Sequence, residues 1–197
     1  LLHIAIGSLL HDLGIRYITV PYENCNYNEL QPNEIFEYKK HTILAYTALE
    51  NEKWIPDISR KIILSHHERL NGSGFPLKQR NSELECRIVQ ICDAFDCMIS
   101  GMECRRTSVQ NALKQLKNAA GILFDHTMVD EFVSMIAKYP VGTTVKTNEE
   151  ENGVVISQTN DPNYPVIMFL DADMRCETSR QKLNLEEERN ISIQQVV

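Results

Sequence analysis

The chain has 197 residues, 43% of them hydrophobic and 24% charged, with a formal net charge of −7. That length fits one domain, or one domain with a small appendage, and the composition is that of a globular protein rather than a disordered one. The negative charge excludes a long nucleic acid as partner, because such affinity comes from neutralised phosphates; a small phosphate ligand held by local cations and metals stays compatible with it.

Leu2 to Leu13 reads as a helix, apolar over most of its circumference and therefore expected to be buried, with His11 and Asp12 at its end and Gly14 as its C-cap. Residues 15–32 carry turn signals at Asn24, Asn26, Asn28 and Pro32 and read as a surface loop. Pro32 or Asn33 opens the next helix, whose spacing of Phe36, Ile43, Leu44, Thr47 and Leu49 places His41 in mid-helix among polar neighbours. Taken alone, His41 is more often a surface residue than a ligand. Pro56-Asp57 starts another helix with Ile58, Ile62 and Ile63 on one stripe; His66 falls on the core side and His67 about 100° away. A turn rich in glycine follows, Asn71-Gly72-Ser73-Gly74-Phe75-Pro76, and its two glycines have no Cβ to keep a bound group from the backbone.

Residues 84–100 read as a mostly buried helix through Ile88, Val89, Ile91, Cys92, Phe95 and Ile99, with Asp93 and Asp96 three apart on one face. Ser108 and Asp125 cap two packing helices with no assigned chemistry. After Tyr139-Pro140 the pattern alternates: 141–147, 154–157 and 166–170 read as strands, 191–197 as a fourth, and Glu149 to Gly153 as a turn. The fold class expected is mainly α with a small antiparallel β appendage at the C-terminus, divided as 1–139 and 140–197.

No apolar run reaches the ~20 residues that span a bilayer. The start lacks the basic region of a signal peptide and an initiating Met, so the chain reads as beginning inside a helix of a longer protein. Cys25, Cys86, Cys92, Cys97, Cys104 and Cys176 form no C-x-x-C pair and read as reduced thiols of a cytoplasmic protein.

His11-Asp12, His41, His66-His67 and Asp93 are nitrogen and carboxylate donors on four separate helices. A charged Asp within an apolar helix is costly unless it meets a cation. A mixed His/Asp set suits iron, manganese or zinc rather than calcium. Two such ions sharing a carboxylate can activate water and polarise a phosphoryl oxygen, the chemistry of phosphodiester hydrolysis.

Four stretches carry a family resemblance: His11-Asp12-Leu13-Gly14, His41, the run from His66 to Pro76 and the run from Arg87 to Asp96. Gly121-Ile122-Leu123-Phe124-Asp125 adds to them. Together they resemble the HD-GYP family, bacterial cyclic di-GMP phosphodiesterases of the HD superfamily. The resemblance implies an HD-type helical bundle, hydrolysis of cyclic di-GMP to linear pGpG or on to GMP, and two or three divalent ions, iron or manganese. It makes His11, Asp12, His41, His66, His67 and Asp93 metal ligands, with Asp12 bridging, and puts Asp96 in support of the helix or the metal's surroundings. It gives Asp12 and His67 the catalytic roles and Gly72, Gly74, Arg105 and Arg16 the substrate contacts. The partners it implies are cyclic di-GMP, a diguanylate cyclase domain met by the Gly74-Phe75-Pro76 surface, and a second copy of the chain.

The chain departs from the family in its substrate contacts. Ile15 stands where a lysine follows the His-Asp-x-Gly motif, and Arg16 beside it is on another face. Asn71 and Phe75 replace an aspartate and a tyrosine. Met102-Glu103-Cys104-Arg105 replaces Arg-Pro-Tyr-Arg, leaving Arg105 as the remaining arginine. A degenerate domain that binds nucleotide or metal, or docks on a cyclase, is therefore the alternative to an active enzyme.

Overall fold

The computed structural model describes residues 1–20, 29–171, 173–177 and 182–197. Cys25 and the turn signals at Asn24, Asn26 and Asn28 lie outside the described residues. Two compact units divide the chain, Leu1–Phe132 and Val133–Val197. It is mostly helical, with a small antiparallel sheet near the C-terminus.

The first unit begins with α1 (Leu2–Leu10), a short 3-10 helix (Leu13–Tyr17), α2 (Pro32–Lys39), α3 (His41–Ala48) and α4 (Asp57–Ser65). It continues with α5 (Leu84–Ser100), α6 (Val109–Ala119) and α7 (His126–Met135), which runs across the boundary between units. α1 stops three residues before the expected end, and Gly14 is not its cap. Gly14 lies buried in the 3-10 helix, where an added Cβ would meet His41 O at 1.9 Å. Its role is close approach to α3. Nor is α1 buried all round: Leu2 and Leu9 are exposed, and Gly7 is its buried residue, seated against Ile62 of α4. Ser59 Oγ of α4 donates to His3 O at 2.6 Å and fixes that pairing.

The helix expected across 33–49 is two helices, separated at Lys40. α2 opens with a capping box, Gln31 N donating to Glu34 Oε2 at 2.7 Å. The break makes His41 the first residue of α3, and His41 is fully buried rather than on the surface. Within α5, Ile88 and Cys92 are exposed, contrary to expectation, while Cys86, Val89, Ile91, Phe95 and Cys97 are buried. Ser108 caps α6 by accepting from Asn111 N, and Asp125 Oδ1 accepts from Met128 N in α7.

The segment from 66 to 80 is held by Glu68, which is fully buried. Its Oε1 accepts from Leu77 N at 2.6 Å and its Oε2 from Gln79 N at 2.8 Å. Replacing Glu68 by Ala leaves two amides without their acceptor; at about 1.5 kcal/mol or more for each hydrogen bond to a charged group, the unit should lose about 3 kcal/mol. Thermal unfolding followed by circular dichroism measures it, and an unchanged midpoint would contradict the role assigned to Glu68.

In the second unit, β1 (Thr144–Thr147), β2 (Asn152–Ser157), β3 (Val166–Phe169), β4 (Leu183–Asn184) and β5 (Ile193–Val196) form one antiparallel sheet in the order β4-β3-β2-β1-β5. β2 starts at Asn152, inside the expected turn, and β4 was not anticipated. Tyr139, Val145, Val155, Ile167, Phe169 and Leu185 form its core.

Candidate metal centre

Three histidines are set by one local device. His11 Nδ1 faces Ser8 O at 2.6 Å, His41 Nδ1 faces Tyr38 O at 2.8 Å, and His66 Nδ1 faces Ile63 O at 2.9 Å. Each carbonyl belongs to the last turn of a helix, α1, α2 or α4, where carbonyls lack intrahelical partners. A carbonyl only accepts, so each Nδ1 carries the hydrogen. In a neutral ring this leaves Nε2 with a free lone pair.

These Nε2 atoms converge. His41 Nε2 and His66 Nε2 are 3.2 Å apart. Asp12 lies between the rings, its Oδ2 3.3 Å from His11 Nε2 and its Oδ1 3.7 and 3.6 Å from the Nε2 atoms of His41 and His66. Asp93 approaches from α5, with Oδ1 3.4 Å from His11 Nε2 and Oδ2 3.5 Å from His67 Nδ1. Donor atoms of Asp12, His41, His66 and His67 all fall within 4.8 Å of one another. His11 and Asp93 join this set through Asp12 and His67.

The electrostatics call for a cation. Burial, aided by the neighbouring His66, pushes His41 down to about 4, and burial pushes His67 well below its ordinary value, so both rings are neutral near pH 7. Burial also opposes charge on His11, yet the carboxylates of Asp12 and Asp93 outweigh it and lift that ring to about 10. Burial likewise opposes charge on Asp12, but His11 and His66 hold its carboxyl far below the usual range. His41 Nε2 and His66 Nε2 face each other at 3.2 Å, each with its Nδ1 turned to a carbonyl, and the buried atoms His67 Nε2 and Asp93 Oδ2 have no hydrogen-bond partner. A divalent ion answers both conditions: neighbouring donors on an octahedral ion with bonds of about 2.1 Å sit roughly 3.0 Å apart, close to the spacings seen here. The His/Asp cluster is thus compatible with divalent metal binding.

A cavity of about 210 Å³ opens on this centre, lined by His11, Asp12, Asp93, Asp96 and Met102 among others. Asp96 is exposed at its rim, although it shares a helix with buried Asp93. Gly72 and Gly74 line a separate cavity of about 530 Å³ with Phe36, Phe75, Lys39, Lys40 and Lys78. A Cβ on Gly74 would meet His67 O at 2.4 Å and Glu68 Cα at 2.5 Å, so this glycine serves close packing within the chain. Phe75 stacks on His67 with ring centres 4.5 Å apart.

Arg16 and Arg105 are engaged elsewhere: Arg16 lies over Tyr17 at 5.5 Å, and Arg105 is exposed and pairs with Glu29 at 2.6 Å. Glu103 is a residue the sequence reading missed. It accepts a hydrogen bond from Tyr38, and burial, with Asp93 as a like-charged neighbour, raises it to about 7. The three lysines of the larger cavity were missed too, since single lysines in the sequence look like solvated surface.

The chain is similar to the cyclic di-GMP phosphodiesterase PA4108 of Pseudomonas aeruginosa, 27% identical over 156 residues, which cover 78% of this chain and 37% of that protein. It is 32% identical over 132 residues to the cyclic di-GMP phosphodiesterase response regulator RpfG of Xanthomonas campestris pv. campestris, covering 64% of this chain and 34% of RpfG. The chain spans about a third of the length of these relatives. Its fold resembles that of Bd1817, an HDG"Y"P protein from Bdellovibrio bacteriovorus, with a TM-score of 0.58 and 22% identity over 66% of this chain and 42% of that one. The family model for the HD domain matches residues 1–128, which include every donor of the centre, and the chain belongs to the HD domain family.

Proposed function

We propose that the helical unit is a metal-dependent phosphodiesterase that opens cyclic di-GMP to linear pGpG or on to GMP, with two or three ions of iron or manganese. The observation that carries this reading is the convergence of three imidazole Nε2 atoms on the two oxygens of Asp12. His11, Asp12, His41, His66, His67 and Asp93 would hold the ions, with Asp12 offering one oxygen to each side. When bound, the ions supply water activation and charge neutralisation at a phosphodiester. Asp12 and His67 act where that chemistry occurs, and Phe75 fixes the plane of the His67 ring by stacking. Gly72 and Gly74 belong to the substrate side, where Lys39, Lys40 and Lys78 supply positive charge beside them. Arg16 and Arg105 reach substrate on this reading only if their present contacts give way.

The helical domain from 1 to 139 carries this chemistry, and the β-rich extension from 140 to 197 is a separate domain. Among the described residues no helix is long and apolar enough to cross a membrane. The same reading puts the chain in the cytoplasm, with a diguanylate cyclase domain and a second copy of the chain as its partners.

A second reading, a domain that binds cyclic di-GMP or metal with little turnover, is favoured by Ile15 in the lysine's place and by the pairing of Arg105 with Glu29. Metal analysis of the purified chain with a cyclic di-GMP hydrolysis assay separates the two. The enzyme reading expects bound divalent metal, product formation in added Mn(II) or Fe(II), and loss of both to a chelator. It also expects Mn(II) affinity to weaken as pH falls from about 10, because the proton that Asp12 and Asp93 hold on His11 competes with the ion. Bound metal and nucleotide without product would sink the enzyme reading and leave the second.

A further inference from the structure

Glu103 follows the Gly101 that ends α5 and holds φ at +60°, the left-handed region that side chains other than Asn and Asp seldom adopt. This turn brings its carboxylate to Tyr38 and His67. The buried Tyr38 hydroxyl donates to Glu103 Oε1, and the same oxygen lies 3.1 Å from His67 Nε2. That nitrogen is buried and has no hydrogen-bond partner, so the two atoms are close without a hydrogen aligned between them. On the other edge of the ring, Asp93 Oδ2 is equally without a partner, 3.5 Å from Nδ1. A carboxylate oxygen and a buried imidazole nitrogen 3.1 Å apart, with no hydrogen bond aligned between them, have the spacing of neighbouring donors on one ion, roughly 3.0 Å for bonds of about 2.1 Å. The His41 and His66 nitrogens show nearly the same spacing, 3.2 Å.

We propose that Glu103 is a metal ligand on the His67 side of the centre, and that Tyr38 is the positioning residue that holds its carboxylate there. The inference rests on the metal-centre reading. A carboxylate beside imidazoles suits Mn(II), Fe(II) or Zn(II). It adds negative charge toward the cation and fills a coordination position that water or a substrate oxygen would otherwise take.

The test is Mn(II) binding by the full metal-free chain, with the free ion read by electron paramagnetic resonance and the bound ion by elemental analysis. The wild type should bind at least two equivalents. Glu103→Gln keeps an acceptor for Tyr38 but removes the charge, and should weaken one equivalent by at least ~10-fold, the scale on which altered coordination environments act, leaving the other unchanged. Tyr38→Phe should shift the same equivalent less. Identical isotherms for wild type and Glu103→Gln would overturn the proposal. His41→Ala runs beside them: if it loses metal while Glu103→Gln does not, the centre stands and the role of Glu103 falls, whereas a wild type that binds no Mn(II) removes both. Should Glu103→Gln fail to fold, Glu103→Asp, with the charge on a shorter arm, makes the same comparison, and an unchanged isotherm again overturns the proposal.

Discussion

Replacing Asp12 by Ala is expected to empty the metal centre and lower any metal-dependent hydrolysis by a factor of about 10³ or more, a loss of about 4 kcal/mol in transition-state stabilisation. Asp12 alone faces both halves of the donor set, one oxygen toward His11 and the other toward His41 and His66. Without it, His11 keeps only Asp93, and His41 and His66 face each other with no anion to balance a cation between them. Elemental analysis should find the variant at background. Thermal unfolding adds an independent readout, because a ligand that binds only the folded chain raises its stability. The wild-type midpoint should rise on adding Mn(II), and the Asp12→Ala midpoint should not. Asp96→Ala, at the rim of the same cavity, should keep its metal. Unchanged metal content in Asp12→Ala would reject the centre as drawn.

Whether such features could be read in advance depended on how local their cause was. The period of α5 is written in its own residues, and its limits, Leu84 and Ser100, match those expected. The pairing of adjacent donors, His11 with Asp12 and His66 with His67, is a local signal that marked where helices end. Gly14 misled because a glycine after an apolar helix usually marks a C-cap, whereas its cause here is the backbone of His41, far along the chain. Periodicity showed that α1 is apolar but could not say which faces have neighbours, so Leu2 and Leu9 were expected inside. His41 looked like surface because its sequence neighbours are polar; its burial comes from the break at Lys40, which turns the first residue of α3 inward. Glu68 follows two of the donor histidines in the chain, yet its oxygens are taken by the amides of Leu77 and Gln79. Glu103 gave no signal at all, since only the chain reversal after Gly101 brings it to Tyr38 and His67.

Gly14→Ala tests how the fold sets the metal spacing, and it should be the most damaging single methyl group in the helical unit. The added Cβ would sit 1.9 Å from His41 O, 2.7 Å from His41 C and 2.9 Å from Ala45 N. All three are backbone atoms, so no side chain can rotate away. The 3-10 helix and α3 must move apart, and they carry Asp12 and His41 with them. Overpacking commonly costs 1–3 kcal/mol, and a clash with rigid backbone belongs at the top of that range, so a loss of about 3 kcal/mol is expected, or a midpoint roughly 10 °C lower for a unit of this size. Gly121→Ala separates this steric effect from backbone strain. Its Cβ meets nothing within 4 Å, but its φ of +75° disfavours a side chain, at a cost of about 1 kcal/mol. Both variants should lose stability, Gly14→Ala more, and only Gly14→Ala should also weaken Mn(II) binding, because it alone alters the distance between Asp12 and His41. If Gly14→Ala kept both its unfolding midpoint and its metal affinity, the contact between the 3-10 helix and α3 could not be what holds those two donors in register.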